Sequence, residues 1–181
     1  MRLIALVGMP GSGKSVLSGE LKKKGYAIIR FGDITDEELK KQNLPVNEEN
    51  ERHIRELLRK ENGMDAYAKL NSDKINNAIQ KSDVAIDGMR SWEEYLSLKK
   101  DHPDMILIAV YCSQNTRIKR LSERTARHLT EEEVKSRDEK EIENMNIAGP
   151  IALADYTINN EGSEQELLDA MRKIIGELEN E

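Results

Sequence analysis

The chain has 181 residues, 38 % of them apolar and 34 % charged, with a formal net charge of -6. That length suits one compact domain with small excursions, and that charge argues against a protein whose main task is gripping a nucleic-acid backbone, leaving room for a local basic site. No apolar run approaches the ~20 residues of a membrane span, and the chain enters a strand at once with RLIALVG rather than a signal peptide, so a cytoplasmic protein is expected.

Apolar runs of strand length alternate with amphipathic stretches of helix length. The runs are Leu3 to Val7, Tyr26 to Phe31, Asp83 to Asp87, Met105 to Cys112 and Asp155 to Asn159. They are mostly continuous in hydrophobicity, as strands buried on both faces are. The repeated βαβ unit predicts a doubly wound α/β domain with an aliphatic core.

The first strand runs into Gly8-Met9-Pro10-Gly11-Ser12-Gly13-Lys14-Ser15, which matches G-x-x-x-x-G-K-[ST]. The glycines permit backbone angles that turn successive N–H groups inward as an anion nest. The helix starting near Gly13 adds its N-terminal partial charge. Lys14 places an ammonium at the β- and γ-phosphates, and Ser15 offers a hydroxyl to Mg²⁺. A chain this long shows the pattern by chance roughly once in a hundred; the strand before it and the amphipathic helix with Val16, Leu17 and Leu21 after it cut those odds further. Gly25 is expected to close that helix.

At the end of the second strand, Arg30 and Asp33 flank Gly32 and are expected to face one crevice. Asp33 reads as a general base for a hydroxyl acceptor, as a positioning group for a phosphate acceptor, or as a helix cap. A mostly helical insert follows, about 35–80. Thr35 with Glu38, Ser91 with Glu94, Thr130 with Glu133 and Ser163 with Glu166 fit the capping-box pattern.

The third strand ends on Asp87, the usual second magnesium element of phosphate-loop proteins. Gly88 follows where hydrolytic ATPases place a glutamate, which favours transfer to a bound acceptor. A guanine-reading Asn-Lys-x-Asp motif is missing. Arg90 is placed to hold an acceptor phosphate. Cys112, the single cysteine, reads as a small buried hydrophobe in the fourth strand.

A charged helical stretch, about 116–145, carries Arg117, Arg120, Arg124 and Arg127 at spacings of three, four and three. On one helix they share a quadrant. Arginine forks neutralise a phosphoryl group in transfer, and Arg124 and Arg137 are the individual choices. His53 and His102 read as surface residues; His128, beside the stripe, is left open.

These pieces resemble a family of poorly characterised archaeal nucleotide-kinase-related proteins, akin to adenylate, cytidylate and dephospho-coenzyme A kinases. The resemblance runs almost end to end: the phosphate loop, Phe31-Gly32-Asp33, Ile86-Asp87-Gly88-Met89-Arg90, Thr116-Arg117, Arg120-Leu121, Arg137-Asp138, and Ile151 to Tyr156 leading to Asn160, Gly162 and Ser163. It implies a P-loop NTPase core with a five-stranded parallel sheet in the order 2-3-1-4-5, a helical acceptor-site insert and a helical lid. It also implies that the Asn160 to Gly162 loop lies beside the nucleotide base. The DGMR element is one residue shorter than the corresponding adenylate-kinase element, so the acceptor does not carry over.

The expectation is a phosphotransferase moving the γ-phosphate of Mg-ATP to a small acceptor, a nucleotide first among them. Lys14, Arg124, Arg137 and Asp33 are its catalytic candidates, the loop with Asn160 and Gly162 its donor site, Arg30, Gly32, Asp33 and Arg90 its acceptor site, and Ser15 with Asp87 its metal site. The alternative is a nucleotide-dependent binding or assembly factor with slow hydrolysis.

Overall fold

The computed structural model describes residues 1–180. Five parallel strands form one sheet: β1 (Leu3–Val7), β2 (Ala27–Arg30), β3 (Val84–Asp87), β4 (Ile106–Tyr111) and β5 (Tyr156–Asn159), in the order β2-β3-β1-β4-β5. This is the order expected from the resemblance. The helices are α1 (Lys14–Lys23), α2 (Gly32–Lys41), α3 (Glu48–Asn62), α4 (Ala66–Ile79), α5 (Trp92–Asp101), α6 (Gln114–Ser122), α7 (Glu131–Glu143), α8 (Ala148–Ala152) and α9 (Glu164–Glu179).

The unbroken apolar runs are explained by cover on both faces. Along β1, Leu3, Ala5 and Val7 pack into a cluster with residues of α2 to α5, such as Leu39, Ile54, Ile75 and Leu98. Ile4 and Leu6 turn the other way, onto Leu17 and Leu21 of α1 and Leu167, Met171 and Ile175 of α9. Every side chain of β1 is buried, so the strand has no polar face to alternate with. A third, small cluster of Leu121, Leu129 and Val134 holds α6 against α7.

Register then lines up the strand ends. Arg30 pairs with Asp87 across β2 and β3, Asp87 with Leu6 across β3 and β1, and Tyr111 with Asn159 across β4 and β5. The carboxyl end of the sheet therefore collects the phosphate loop, Arg30, Asp87 and the loop after Asn159 in one row, where ligands bind in open parallel sheets.

Three of the four capping boxes form as expected, at Ser91, Thr130 and Ser163. The fourth does not. Helix α2 begins at Gly32, so Thr35 lies inside it, buried, with its hydroxyl 2.6 Å from that of Tyr67. Gly25 closes α1 at φ 92. Cys112 is buried, and burial pushes its thiol pKa up. Among the described residues no helix is long and apolar enough to cross a membrane.

Candidate functional site

The loop from Gly8 to Ser15 joins β1 to α1 with three glycines in the left-handed region, Gly8, Gly11 and Gly13. At each of them an added Cβ would come within 3.0 Å of a neighbouring atom, which at Gly11 is Leu121 Cγ. A Cβ on Gly8 would collide with the Val110 carbonyl, and one on Gly13 with the Asn160 amide. Lys14 Nζ folds over the loop and donates to the carbonyls of Gly8 (2.6 Å) and Met9 (3.1 Å). Burial pulls its pKa down to about 8, with Arg90 and Arg137 acting in the same sense and Asp87 and Glu141 opposing. Lys14 thus senses groups from β3, the turn after it, and α7, which ties these elements into one electrostatic cluster.

Two cavities open from this loop. The larger, ≈ 640 Å³, is lined by residues of the loop, of α2 to α4 and of the α6–α7 segment. Its charged lining comprises eight cationic side chains (Lys14, Arg30, Arg55, Arg59, Arg90, Arg124, Arg127, Arg137) and five carboxylates (Asp36, Glu48, Glu51, Asp87, Glu133). That is a net positive cavity in a negatively charged chain. The smaller, ≈ 290 Å³, lies between the loop, Arg120, Arg124, Asn160, Glu164 and Leu167. Gly11, Lys14, Ser15 and Arg124 belong to both. Volumes of this order suit small-molecule ligands.

Asp87 and Ser15 both line the larger cavity. Asp87 is 6 % exposed, yet among the described residues no side chain or backbone N–H donates a hydrogen bond to its carboxylate. A nearly buried, open carboxylate in a cavity that Ser15 also lines fits a magnesium ion, which takes few protein ligands and keeps several waters. No cluster of three or more metal-ligating side chains occurs among the described residues.

Arg90 is held at both ends. Its backbone N–H donates to Glu94 Oε2 (2.7 Å), the same carboxylate that caps α5, and its side chain pairs with Glu141. Arg137 donates to Glu48 (3.0 Å) and to Glu141 (3.2 Å). Burial lowers the Arg137 pKa, and Arg90 adds to the effect. Asn160 is buried and donates to the Ser12 carbonyl at 2.7 Å, so it braces the phosphate loop while lining the smaller cavity. Gly162 lines neither cavity; its carbonyl accepts from Arg120, which lines the smaller one.

The arginine stripe departs from expectation. Helix α6 ends at Ser122, so Arg124 and Arg127 stand on the following loop and the shared quadrant does not exist. The four separate into different environments. Arg117 is buried, forks onto Asp138 at 2.8 and 2.7 Å, and also donates to the carbonyls of Pro10 and Cys112. It is an anchor that braces the phosphate loop at Pro10 and lines neither cavity. Arg120 donates to Cys112 Sγ (3.3 Å). Arg127, at φ 54, pairs with Asp36 and Glu51. Arg124 has no hydrogen bond or ion pair among the described residues; after burial, its neighbours Arg137 and Arg127 are what lower its pKa.

Asp33 also departs. Its side chain is 53 % exposed, pairs with Arg30 at 2.9 Å, and does not line the cavity, whereas Arg30 and Gly32 do. One turn on, Asp36 lines the cavity in its place, held by Arg30 and Arg127. His128 lines the larger cavity; His53 is exposed and His102 sits in the loop after α5.

Several lining residues escaped the sequence reading: Asp36, Glu48, Glu51, Arg55, Arg59 and Tyr67. A signal existed for three. Glu48, Glu51 and Arg55 recur at three and four residues, one face of α3, and they form ion pairs with one another.

The fold and the glycine-rich loop define a P-loop NTPase-type domain. The chain belongs to the AAA-domain family whose model (AAA_18) matches residues 4–146, and to the UPF0200 family of archaeal proteins. It is 36 % identical to a UPF0200 protein of Thermococcus kodakarensis over 97 % of each chain, and 33 % identical to one of Methanococcus maripaludis over 99 % of each. Among solved structures it is similar to TT1252 from Thermus thermophilus (TM-score 0.65, 18 % identity, 98 % of this chain and 97 % of that one). A shikimate kinase from Bacteroides thetaiotaomicron is similar to the same degree (TM-score 0.64, 15 % identity, 98 % of each). At such identities these structures speak for the fold alone.

Proposed function

We propose that this protein moves the γ-phosphate of Mg-ATP to a small acceptor that carries an anionic group, a nucleotide first among the candidates. Arg124 carries the reading. It is a guanidinium without a carboxylate partner, on the wall common to both cavities, beside two further arginines. An uncompensated cation between two cavities suits an anion shared by two ligands, and a phosphoryl group in transfer is such an anion.

In this reading the smaller cavity takes the donor nucleoside beside Asn160 and Gly162. The loop amides and Lys14 take the donor phosphates, and the larger cavity takes the acceptor. Helices α2 to α4 are the acceptor-side insert and the α6–α7 segment is the lid. Ser15 and Asp87 would hold Mg²⁺, which would offset charge on the phosphate oxygens. The bond from the γ-phosphorus to its bridging oxygen breaks, and that oxygen leaves on ADP with the electron pair. A bond from an acceptor oxygen to phosphorus forms. Arg124 and Arg137 donate to the equatorial oxygens, while Arg90 and Arg30 hold the acceptor. A phosphate acceptor is already ionised and needs no base. The exposure of Asp33 and the double pairing of Asp36 favour such an acceptor over a hydroxyl.

The test is transfer from γ-labelled ATP to a panel of nucleoside monophosphates, nucleosides and dephospho-coenzyme A. Label on one acceptor, with turnover that depends on it, is the expected result. No transfer to any, with slow acceptor-independent hydrolysis and nucleotide-dependent capture of a protein, would replace this reading with that of an assembly factor.

A further inference from the structure

Two carboxylates on α7 meet arginines in opposite ways. Asp138 closes the Arg117 fork with two parallel bonds, and both residues are buried and line neither cavity. Glu141 is 2 % exposed and uses a single oxygen, Oε1, for two guanidiniums from different elements. Arg90 reaches it from the turn after β3, and Arg137 from one turn back on α7. Its Oε2 is buried with no partner.

The geometry has a front and a back. Arg90 and Arg137 line the larger cavity; Glu141 does not. The carboxylate stands behind, and each arginine keeps donors in reserve. Among the described residues Arg90 Nη2 and Nε and Arg137 Nη2 make no hydrogen bond. Two guanidiniums this close repel, and the opposing effect of Arg90 on the Arg137 pKa reflects that. A carboxylate between them offsets the repulsion and sets the angle at which both forks look into the cavity.

We infer that Glu141 is a positioning residue, which holds Arg90 at the angle from which it reaches the acceptor and Arg137 at the angle from which it reaches the transferred phosphoryl group. The inference rests on the phosphotransfer reading above. Glu141 does not touch the reacting atoms; it acts through the two arginines, and it joins lid closure to the acceptor site through one atom.

The test uses the full chain with the acceptor found in the transfer panel. Glu141→Gln removes the charge; Glu141→Asp keeps it and draws the oxygen back by one methylene. Both are expected to lower kcat by about 30-fold or more while ATP Kd stays within about fivefold. Glu141→Asp is the decisive variant if Glu141→Gln does not fold, because a residue needed only for charge balance would tolerate it. In the cycle with Arg137→Ala, the double loss should fall short of the product of the single losses by about tenfold or more. The Arg137 Nε–Hε resonance in arginine-labelled protein should move in both Glu141 variants. A kcat within about threefold of wild type in Glu141→Asp, losses that multiply, or an unmoved resonance overturns the inference and leaves phosphotransfer standing. A wild-type chain that labels no acceptor overturns both.

Discussion

Asp138→Asn tests the claim that Arg117 is an anchor rather than a member of the phosphate-binding set. Both side chains are 5 % exposed, and Arg117 also donates to the Pro10 carbonyl inside the phosphate loop at 3.2 Å. Neutralising Asp138 leaves a guanidinium buried without its counter-ion. Such breaks cost about 3–5 kcal/mol, because the stranded charge keeps its desolvation penalty. For a domain of this size that is a fall in Tm of roughly 6–20 °C. The expected urea transition shifts to lower denaturant at unchanged slope, since the surface exposed on unfolding is the same. ATP affinity should weaken too, as Arg117 shifts and lets the Pro10 end of the loop move. Replacing both partners by apolar side chains, Arg117→Met with Asp138→Leu, should restore most of the stability but not the ATP affinity. A loss below about 1 kcal/mol in Asp138→Asn would put the pair in the class of exposed ion pairs and refute the reasoning.

Lys14→Ala should remove ATP binding measurable by calorimetry, since it deletes the cation at the β- and γ-phosphates; unchanged affinity would overturn the donor-site assignment. Gly13→Ala places a Cβ against the Asn160 amide at φ 108; a stability loss of about 1–3 kcal/mol in a thermal melt is expected, together with lost nucleotide binding. Glu141 carries a pH signature. Burial would raise its pKa, but Arg90, Arg137 and Lys14 outweigh that and hold it at about 2, against an ordinary 4.5. A depressed carboxylate stabilises the fold above its unfolded value. About 3 kcal/mol should therefore be present at neutral pH and lost as pH falls from about 4.5 towards 2, a loss that Glu141→Gln would not show. Asp33→Asn should leave acceptor KM within about threefold, whereas Asp36→Asn, which removes one of two carboxylates from each of Arg30 and Arg127 in the cavity, should change it by about tenfold; the reverse order would return the role to Asp33.

The features legible in one dimension are those whose partners lie within a few residues. The phosphate loop is eight consecutive positions whose glycines, lysine and serine act on one ligand through the local chain. The strands were legible because cover on both faces leaves no polar alternation, and the capping boxes at Ser91, Thr130 and Ser163 close over three residues. Even local signals can mislead: Thr35 and Glu38 have the right spacing, but the helix is capped at Phe31, four residues earlier, and the Thr35 hydroxyl meets Tyr67 from α4 instead.

The arginines mark the boundary. Arg117, Arg120, Arg124 and Arg127 share one spacing, and nothing in that spacing separates the buried anchor from the unpaired cation on the cavity wall. Helix α6 stops at Ser122 without a glycine or proline to announce it, and each arginine then takes the environment that its place in the fold dictates. Their partners lie far along the chain: Asp138 for Arg117, Glu51 and Asp36 for Arg127, and Glu48 for Arg137. Residue type and spacing were enough to mark the phosphate loop. Which charges are neutralised and which stay open to an anion was settled only when the sheet order and the α6–α7 segment brought distant carboxylates within ion-pair distance, because Coulomb energy depends on separation in space and on burial, neither of which is a property of position along the chain.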